Sequence, residues 1–337
     1  MRCSKTAREQ SLFYPVILRS GKPCPARYRR RNLDDSKARI GYGGAMLDYD
    51  EPLYRPPSEG RNLIIQATLG CSFNQCSFCS MYHSKTYQAR PLDLVFDDID
   101  RAAQAWPDAS RVFLADGDAY ILETDHLQRI LEKLGHSFPN LTRVSAYATP
   151  MSLLRKSTTE MAELIAQKLS LVYFGIESGS PDILKRITKG ASPKGMIKGL
   201  QKARNAGVKV SATVILGLGG KTLWQDHIDG TIALLNEAPV NYLSTLQLHL
   251  DRAAYPGFLE KFEDPFEFQD DHAILREQER LIQGLKPPSP VIYRSNHASN
   301  ALALAGNLPK DREKLLDQIK AAQAGEQQLR PWFLRST

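Results

Sequence analysis

Six short apolar, β-rich runs recur along this chain, alternating with segments of helical periodicity. The runs are 62–69 (NLIIQATL), 111–115 (RVFLA), 142–148 (TRVSAYA), 171–176 (LVYFGI), 209–216 (KVSATVIL) and 242–250 (YLSTLQLHL). Helical patterning follows near 92–106, 124–135, 158–168, 181–187, 193–206 and 222–236. Strand-then-helix units in series require a parallel sheet with right-handed crossovers. The expected fold is therefore α/β, a partial (β/α)6 barrel, although an open doubly wound sheet satisfies the same pattern. In both, ligands bind at the C-terminal ends of the strands. Gly207 is expected to stop the 193–206 helix, with Lys202 and Arg204 in its last turn.

Three regions are expected: a basic N-terminal extension (1–60), the core (61–252) and a C-terminal helical appendage or lid (253–337). The extension reads as irregular. The appendage reads as a helix near 268–284, a strand-like VIYRS, the polar HASN and a last helix near 309–323. The net charge is +7 over 337 residues, and the first 40 hold 11 Lys/Arg against 3 Asp/Glu. The basic character thus belongs to the arm, and any inference of nucleic-acid binding transfers to the arm alone. The arm is read as a solvated tail or surface strap, with docking to an acidic partner or a transit peptide as alternatives. No apolar run approaches the roughly 18 residues needed to span a bilayer, and no secretory h-region opens the chain. A soluble, cytoplasmic protein is expected.

The five cysteines are Cys3, Cys24, Cys71, Cys76 and Cys79. An odd number, with three inside nine residues, does not read as a disulfide framework. The cluster is C-x4-C-x2-C, directly after the first strand, at the rim where a site belongs. Three thiolates on one loop can hold three irons of a [4Fe–4S] cube, leaving the fourth open. Zinc held by these three thiols and His83 is an alternative, as are three buried structural thiols.

The run Gly70–Cys79, with aromatic Phe78 just before the third cysteine, resembles the cluster motif of the radical S-adenosylmethionine (SAM) superfamily. The usual spacing there is C-x3-C-x2-C, so the first gap is one residue longer. The resemblance covers roughly 55–250. The segments YRPPSEG, LADGDA, FGIESGS and RSNHASN resemble one branch whose reaction is not known. The resemblance implies a [4Fe–4S] cluster on Cys71, Cys76 and Cys79, with SAM as the second cofactor.

It further implies that Asp116, Gly117 and Asp118 stand where the family has Gly-Gly-Glu, facing the methionine amino group. Glu177 and Ser178 would lie near the ribose, with Ser180 capping the next helix. Gly217 and Leu218 would lie near adenine, unless this is a plain strand-to-helix turn. Ser145 and Tyr147 face the lumen or pack in the core. Lys185, Arg186 and Lys189 either neutralise the SAM carboxylate or form a solvated helix face. His249 and Asp251, and Arg294, Asn296, His297, Ser299 and Asn300, are substrate candidates, against core or turn roles. The implied activity is reductive cleavage of SAM and hydrogen abstraction from a small molecule. The implied partner is a ferredoxin or flavodoxin-type electron donor. The alternatives are an RNA-modifying enzyme using the arm, and a zinc-stabilised binding protein without turnover.

Overall fold

The computed structural model describes residues 37–42, 45–262 and 265–335. All belong to one unit, Ser36–Thr337. Residues 1–36, with Cys3, Cys24 and the part of the arm on which the RNA reading rests, lie outside the described residues.

The described residues open with β1 (Lys37–Tyr42) and β2 (Ala45–Asp50), paired antiparallel. This corrects the irregular reading of the extension. Leu47 and Tyr49 of β2 are buried, and the Tyr49 hydroxyl donates to the Ile64 carbonyl. Next come β3 (Leu63–Gln66), the short β4 (Thr68–Leu69) and its antiparallel partner β5 (Gln88–Ala89). Alternation follows: α1 (Leu92–Ala105), β6 (Arg111–Ala115), α2 (Thr124–Ser137), β7 (Arg143–Ala148), α3 (Pro150–Arg155), α4 (Thr158–Ala166) and β8 (Leu169–Glu177). It continues with α5 (Pro181–Arg186), α6 (Pro193–Ala206), β9 (Lys209–Leu216), α7 (Trp224–Glu237) and β10 (Tyr242–Gln247). Last are α8 (Tyr255–Leu259), α9 (Asp271–Gly284), β11 (Val291–Ser295), β12 (Leu304–Leu308) and α10 (Arg312–Gln323).

The main sheet has the order β12-β11-β10-β9-β8-β7-β6-β3. Every neighbouring pair is parallel except β11 with β12. The six expected strands are all in it, in the expected succession. The C-terminal region is not only helical, because β11 and β12 extend the same sheet. β12 is an edge strand, and β3 is the other edge, so the sheet stays open, as a partial barrel does.

Two apolar layers hold the sheet. Val112, Leu114, Val144, Ala146, Val172, Phe174, Val210, Ala212 and Val214 are buried toward the helices. Each fully buried aliphatic side chain stabilises by about 1.5–3 kcal/mol relative to exposure. On the concave side, Phe113, Ala115, Leu171 and Tyr173 pack with Leu53, Ile64, Tyr147 and Tyr242. The 3-10 turn Pro57–Glu59 also reaches this side. Glu59 is buried and accepts from Arg143 (2.7 Å), Ser145 (3.0 Å), Tyr173 (2.5 Å) and Asn62.

Helix ends follow the expected chemistry. Ser180 accepts from the Ile183 amide at 3.5 Å, and Gly207 ends α6 in the left-handed region at φ +90°. These turns deliver the strand ends to one rim.

Candidate functional site

The loop after β4 carries Cys71, Cys76 and Cys79, all half-buried free thiols. Four anchors hold it over the strand ends. The Gly70 carbonyl accepts from the Gly117 amide (3.0 Å), and the Gly70 amide donates to Asp116 (3.0 Å). The Ser77 amide donates to the Ile187 carbonyl after α5 (3.0 Å). The Phe73 ring lies over Gly190, which has no side chain to obstruct it. The Ser80 hydroxyl donates to Asp251, beyond β10. A loop that starts beside one edge strand thus reaches the end of β10, which requires the sheet to curl beneath it.

Asp116 and Asp118, at the end of β6, are fully buried. Asp116 pairs with Lys85 (3.0 Å) and accepts from Gln66 and the Gly70 amide, so its carboxylate binds the cysteine loop to the sheet. Asp118 accepts from Ser72 (2.5 Å), the Thr149 hydroxyl (2.7 Å) and the Thr149 amide (3.2 Å). Burial pushes Asp118 up to about 6, against those hydrogen bonds. Between the two acids, Gly117 leaves room for Cys71 and the Tyr82 ring.

At the end of β8, Glu177 has φ +61° and accepts from Lys189 at 2.9 Å. The Lys189 ammonium also lies over the Phe78 ring, 6.0 Å from its centroid. A Cβ on Gly175 would meet both Glu177 and Lys189. The bare backbone at 175 lets the ion pair fold inward, so Lys189 is not on a solvated helix face. Lys185 is exposed, and Arg186 pairs with Asp182 within α5 (2.9 Å).

The structure engages other expected site residues with the protein itself. Ser145 donates to buried Glu59, which needs donors in a place water does not reach. Ser178 is buried, and its hydroxyl lies 2.8 Å from His227 Nδ1. His227 Nε2 faces the Ile215 carbonyl at 3.0 Å, so Nε2 carries the proton and Nδ1 accepts from Ser178. Burial lowers His227 to about 4 and keeps it neutral. The Gly217 amide donates to Glu277 of α9 (2.7 Å), and Leu218 is buried.

His249 and Asn296 are exposed. Asp251 accepts from Ser80 and from the Ala254 amide (2.7 Å). His297 Nδ1 accepts from the Ser299 amide (3.2 Å). Asn300 clamps β10 to the loop after β11, accepting from the Gln247 amide (2.7 Å) and donating to the Thr245 carbonyl (2.8 Å). Arg330 donates to the carbonyls of His297, Ala298 and Asn300. HASN is therefore a braced rim loop and not a cap on α10, which starts at Arg312.

Sequence reasoning missed Lys85, His227 and Glu277. The first two show no local signal, since their partners lie 31 and 49 residues away. Glu277 carried one, since it shares the apolar stripe of α9 with Ile274 and Leu281.

Residues 65–234, half of the chain, match the Radical SAM superfamily. The chain belongs to the radical SAM superfamily. It is 25% identical over 199 residues to a protein of Methanocaldococcus jannaschii provisionally named a methylthiotransferase, covering 54% of this chain and 43% of that one. It is 24% identical over 186 residues to an uncharacterized methyltransferase of Pyrococcus horikoshii, covering 53% and 38%. The chain thus spans about two fifths of the length of these relatives. The solved coproporphyrinogen III oxidase of Escherichia coli, described as a radical SAM enzyme, shares the fold. Its TM-score is 0.50 at 14% identity, over 66% of this chain and 52% of that one.

Radical SAM proteins use a [4Fe–4S] cluster and SAM, and the donor set here fits that cluster. Three uncommitted thiols share one loop, with the bare backbone of Gly117 beside Cys71. The buried Tyr82 and Ser77 hydroxyls on the same loop have no hydrogen-bond partner among the described residues. Burial pushes the Cys76 thiol up to about 12, against the pull of Lys189, and raises Cys79 as well. Bound iron would displace those protons, as thiolate ligation requires. Among the described residues no three His, Cys, Asp or Glu side chains group around a single metal ion, and His83 is exposed. The Cys3His zinc arrangement is not assembled. Among the described residues no helix is long and apolar enough to cross a membrane.

Proposed function

We propose that this radical SAM chain is an enzyme that holds a [4Fe–4S] cluster on Cys71, Cys76 and Cys79, cleaves SAM and acts on a small molecule. The observation that carries the reading is the Glu177–Lys189 pair folded over Gly175 against Phe78 of the cysteine loop. It places one anion and one cation beside the three thiols, which suits a ligand bearing both hydroxyls and a carboxylate. Held by Cys71, Cys76 and Cys79 and reduced by an external donor, a [4Fe–4S] cluster would supply the one electron needed to split the S–C5′ bond of SAM into methionine and a 5′-deoxyadenosyl radical able to take hydrogen from the substrate.

The protein's own groups bind and orient. Glu177 uses Oε1 for Lys189, leaving Oε2 to accept from ribose hydroxyls. Lys189 faces the methionine carboxylate. The Asp118 carboxylate, whose Oδ1 accepts from the Thr149 amide, faces the amino group. Asp116 takes no ligand and instead locks the cysteine loop through Lys85 and Gly70. Tyr54 packs edge-on against Tyr82, and Tyr147 packs against Phe113 on the concave side. The relatives are named for methyl or methylthio transfer, and hydrogen abstraction is the step proposed for this chain. The electron donor is of the ferredoxin or flavodoxin type.

The test is anaerobic reconstitution followed by SAM and dithionite, with 5′-deoxyadenosine as the readout. The control is the triple variant Cys71→Ala, Cys76→Ala, Cys79→Ala. Product from the native chain alone supports the reading. Zinc in place of iron, with no product, overturns it.

A further inference from the structure

The concave face of the sheet has two unlike halves. Over β6 to β8 it is filled by the Phe113 cluster, Leu53 and Glu59 with its donors. Over β9 to β12 its side chains are, among the described residues, only partly covered. Burial alternates along these strands, and Ser211, Thr213, Ile215, Tyr242, Ser244, Leu246, Ile292 and Arg294 form the less buried set.

The strand register aligns part of that set in one row. Gly175 pairs with Thr213, Thr213 with Ser244, and Ser244 with Arg294. Neighbouring strands lie about 4.8 Å apart, so the row runs about 14 Å from Gly175 to Arg294. Lys189 and Glu177 lie over its Gly175 end, beside the cysteine loop. The Thr213 and Ser244 hydroxyls engage no hydrogen bond among the described residues. Arg294 donates through Nη1 to the carbonyls of Tyr293 (2.8 Å) and Gly306 (3.3 Å). Those bonds fix the guanidinium at the β11–β12 edge and leave Nε and Nη2 open. No carboxylate pairs with it among the described residues.

We propose that Thr213, Ser244 and Arg294 form an anion-binding site for a phosphate or carboxylate group of the substrate. A guanidinium on the strand next to the free Ser244 hydroxyl, with the Thr213 hydroxyl one strand further along the row, offers donors to a group with several acceptor oxygens. Seating that group at the Arg294 end leaves the rest of a small molecule to extend along the row toward the cysteine loop. The word substrate rests on the proposed function; the anion site does not.

The test uses the full chain, reconstituted without oxygen, before SAM is added. Inorganic phosphate and acetate are titrated separately at constant ionic strength and followed by calorimetry. Saturable binding is expected for one of them, the tighter anion naming the class. Arg294→Gln should weaken it about tenfold, the loss of one charged hydrogen-bonding partner. Ser244→Ala and Thr213→Val should weaken it by smaller factors, and Arg294→Lys should recover part of the loss. Binding that is absent for both anions, or unchanged in Arg294→Gln, overturns the site. Iron content and 5′-deoxyadenosine yield on the same sample report separately on the proposed function.

Discussion

Gly117 and Cys71 lie so close that a Cβ on residue 117 would stand 2.9 Å from the Cβ of Cys71. The Tyr82 ring would be closer still, at 2.7 Å. The end of β6 and the cysteine loop are therefore fitted backbone to side chain. The Gly117–Gly70 hydrogen bond and the Asp116–Gly70 contact hold the fit from both sides.

Gly117→Ala is expected to push the cysteine loop off the strand end. Overpacking of this kind costs about 1–3 kcal/mol. Iron and sulfide incorporated on reconstitution should fall clearly, while far-UV circular dichroism stays native. Gly135→Ala is the contrast. Its Cβ would meet nothing within 4 Å, on an exposed face of α2. That change should stabilise by about 0.5–1 kcal/mol and leave iron content alone. Equal iron loading in native and Gly117→Ala protein would show that the loop has slack there.

Lys189→Met and Glu177→Gln each break an ion pair whose side chains are 11% and 10% exposed. Lys189→Met leaves a carboxylate without its cation near two half-buried thiols and should cost on the order of 3 kcal/mol. The double variant should cost less than the sum of the single ones, because the second change removes the orphan left by the first. Urea denaturation of all four proteins checks this. Additive losses would mean that the pair is solvated in solution and does not shape the rim.

The core was legible because its signals are local. Short apolar runs, helical periods and Gly207 lie within reach of any window along the chain. Cys71, Cys76 and Cys79 were legible for the same reason. What escaped depends on distant partners. Ser145 resembles a lumen ligand until Glu59, 86 residues earlier, is seen to accept its hydrogen bond. Lys189 reads as one more cation after α5 until the bare Gly175 lets it fold inward. β12 was missed because LAGNL places Gly306 and Asn307 inside an edge strand, where alternation is the only cue and Gly weakens it. The hairpin β1–β2 follows the charged arm in the sequence and was absorbed into it.

Ser145→Ala tests the reassignment of that residue. Losing one donor to a buried carboxylate that keeps Arg143 and Tyr173 should cost about 1 kcal/mol. The dissociation constant for SAM on reconstituted protein should stay within error. A weakened SAM affinity at unchanged stability would return Ser145 to the cofactor site.

Glu277 gives the protein a pH dependence of definite sign. Burial pushes its carboxyl from the ordinary 4.5 up to about 8, against hydrogen bonds from the Gly217 amide and Gln269. Between those values the folded chain holds a proton there that the unfolded chain has released. Stability should therefore fall as pH rises from about 4.5 toward 8. His227 acts oppositely and lower down. Its folded value is near 4 against an ordinary 6.5, so its contribution is lost as pH falls through that interval. Glu277→Gln removes the first term and leaves the second. The variant should show a flatter decline approaching pH 8, well above the ordinary His value of 6.5, and should match or exceed the native chain at pH 8. Denaturant midpoints at half-unit steps would measure it. A variant with the native slope would mean that Glu277 is ionised in the folded chain, with Gly217 and Gln269 sufficient to hold its charge at the join of β9 and α9.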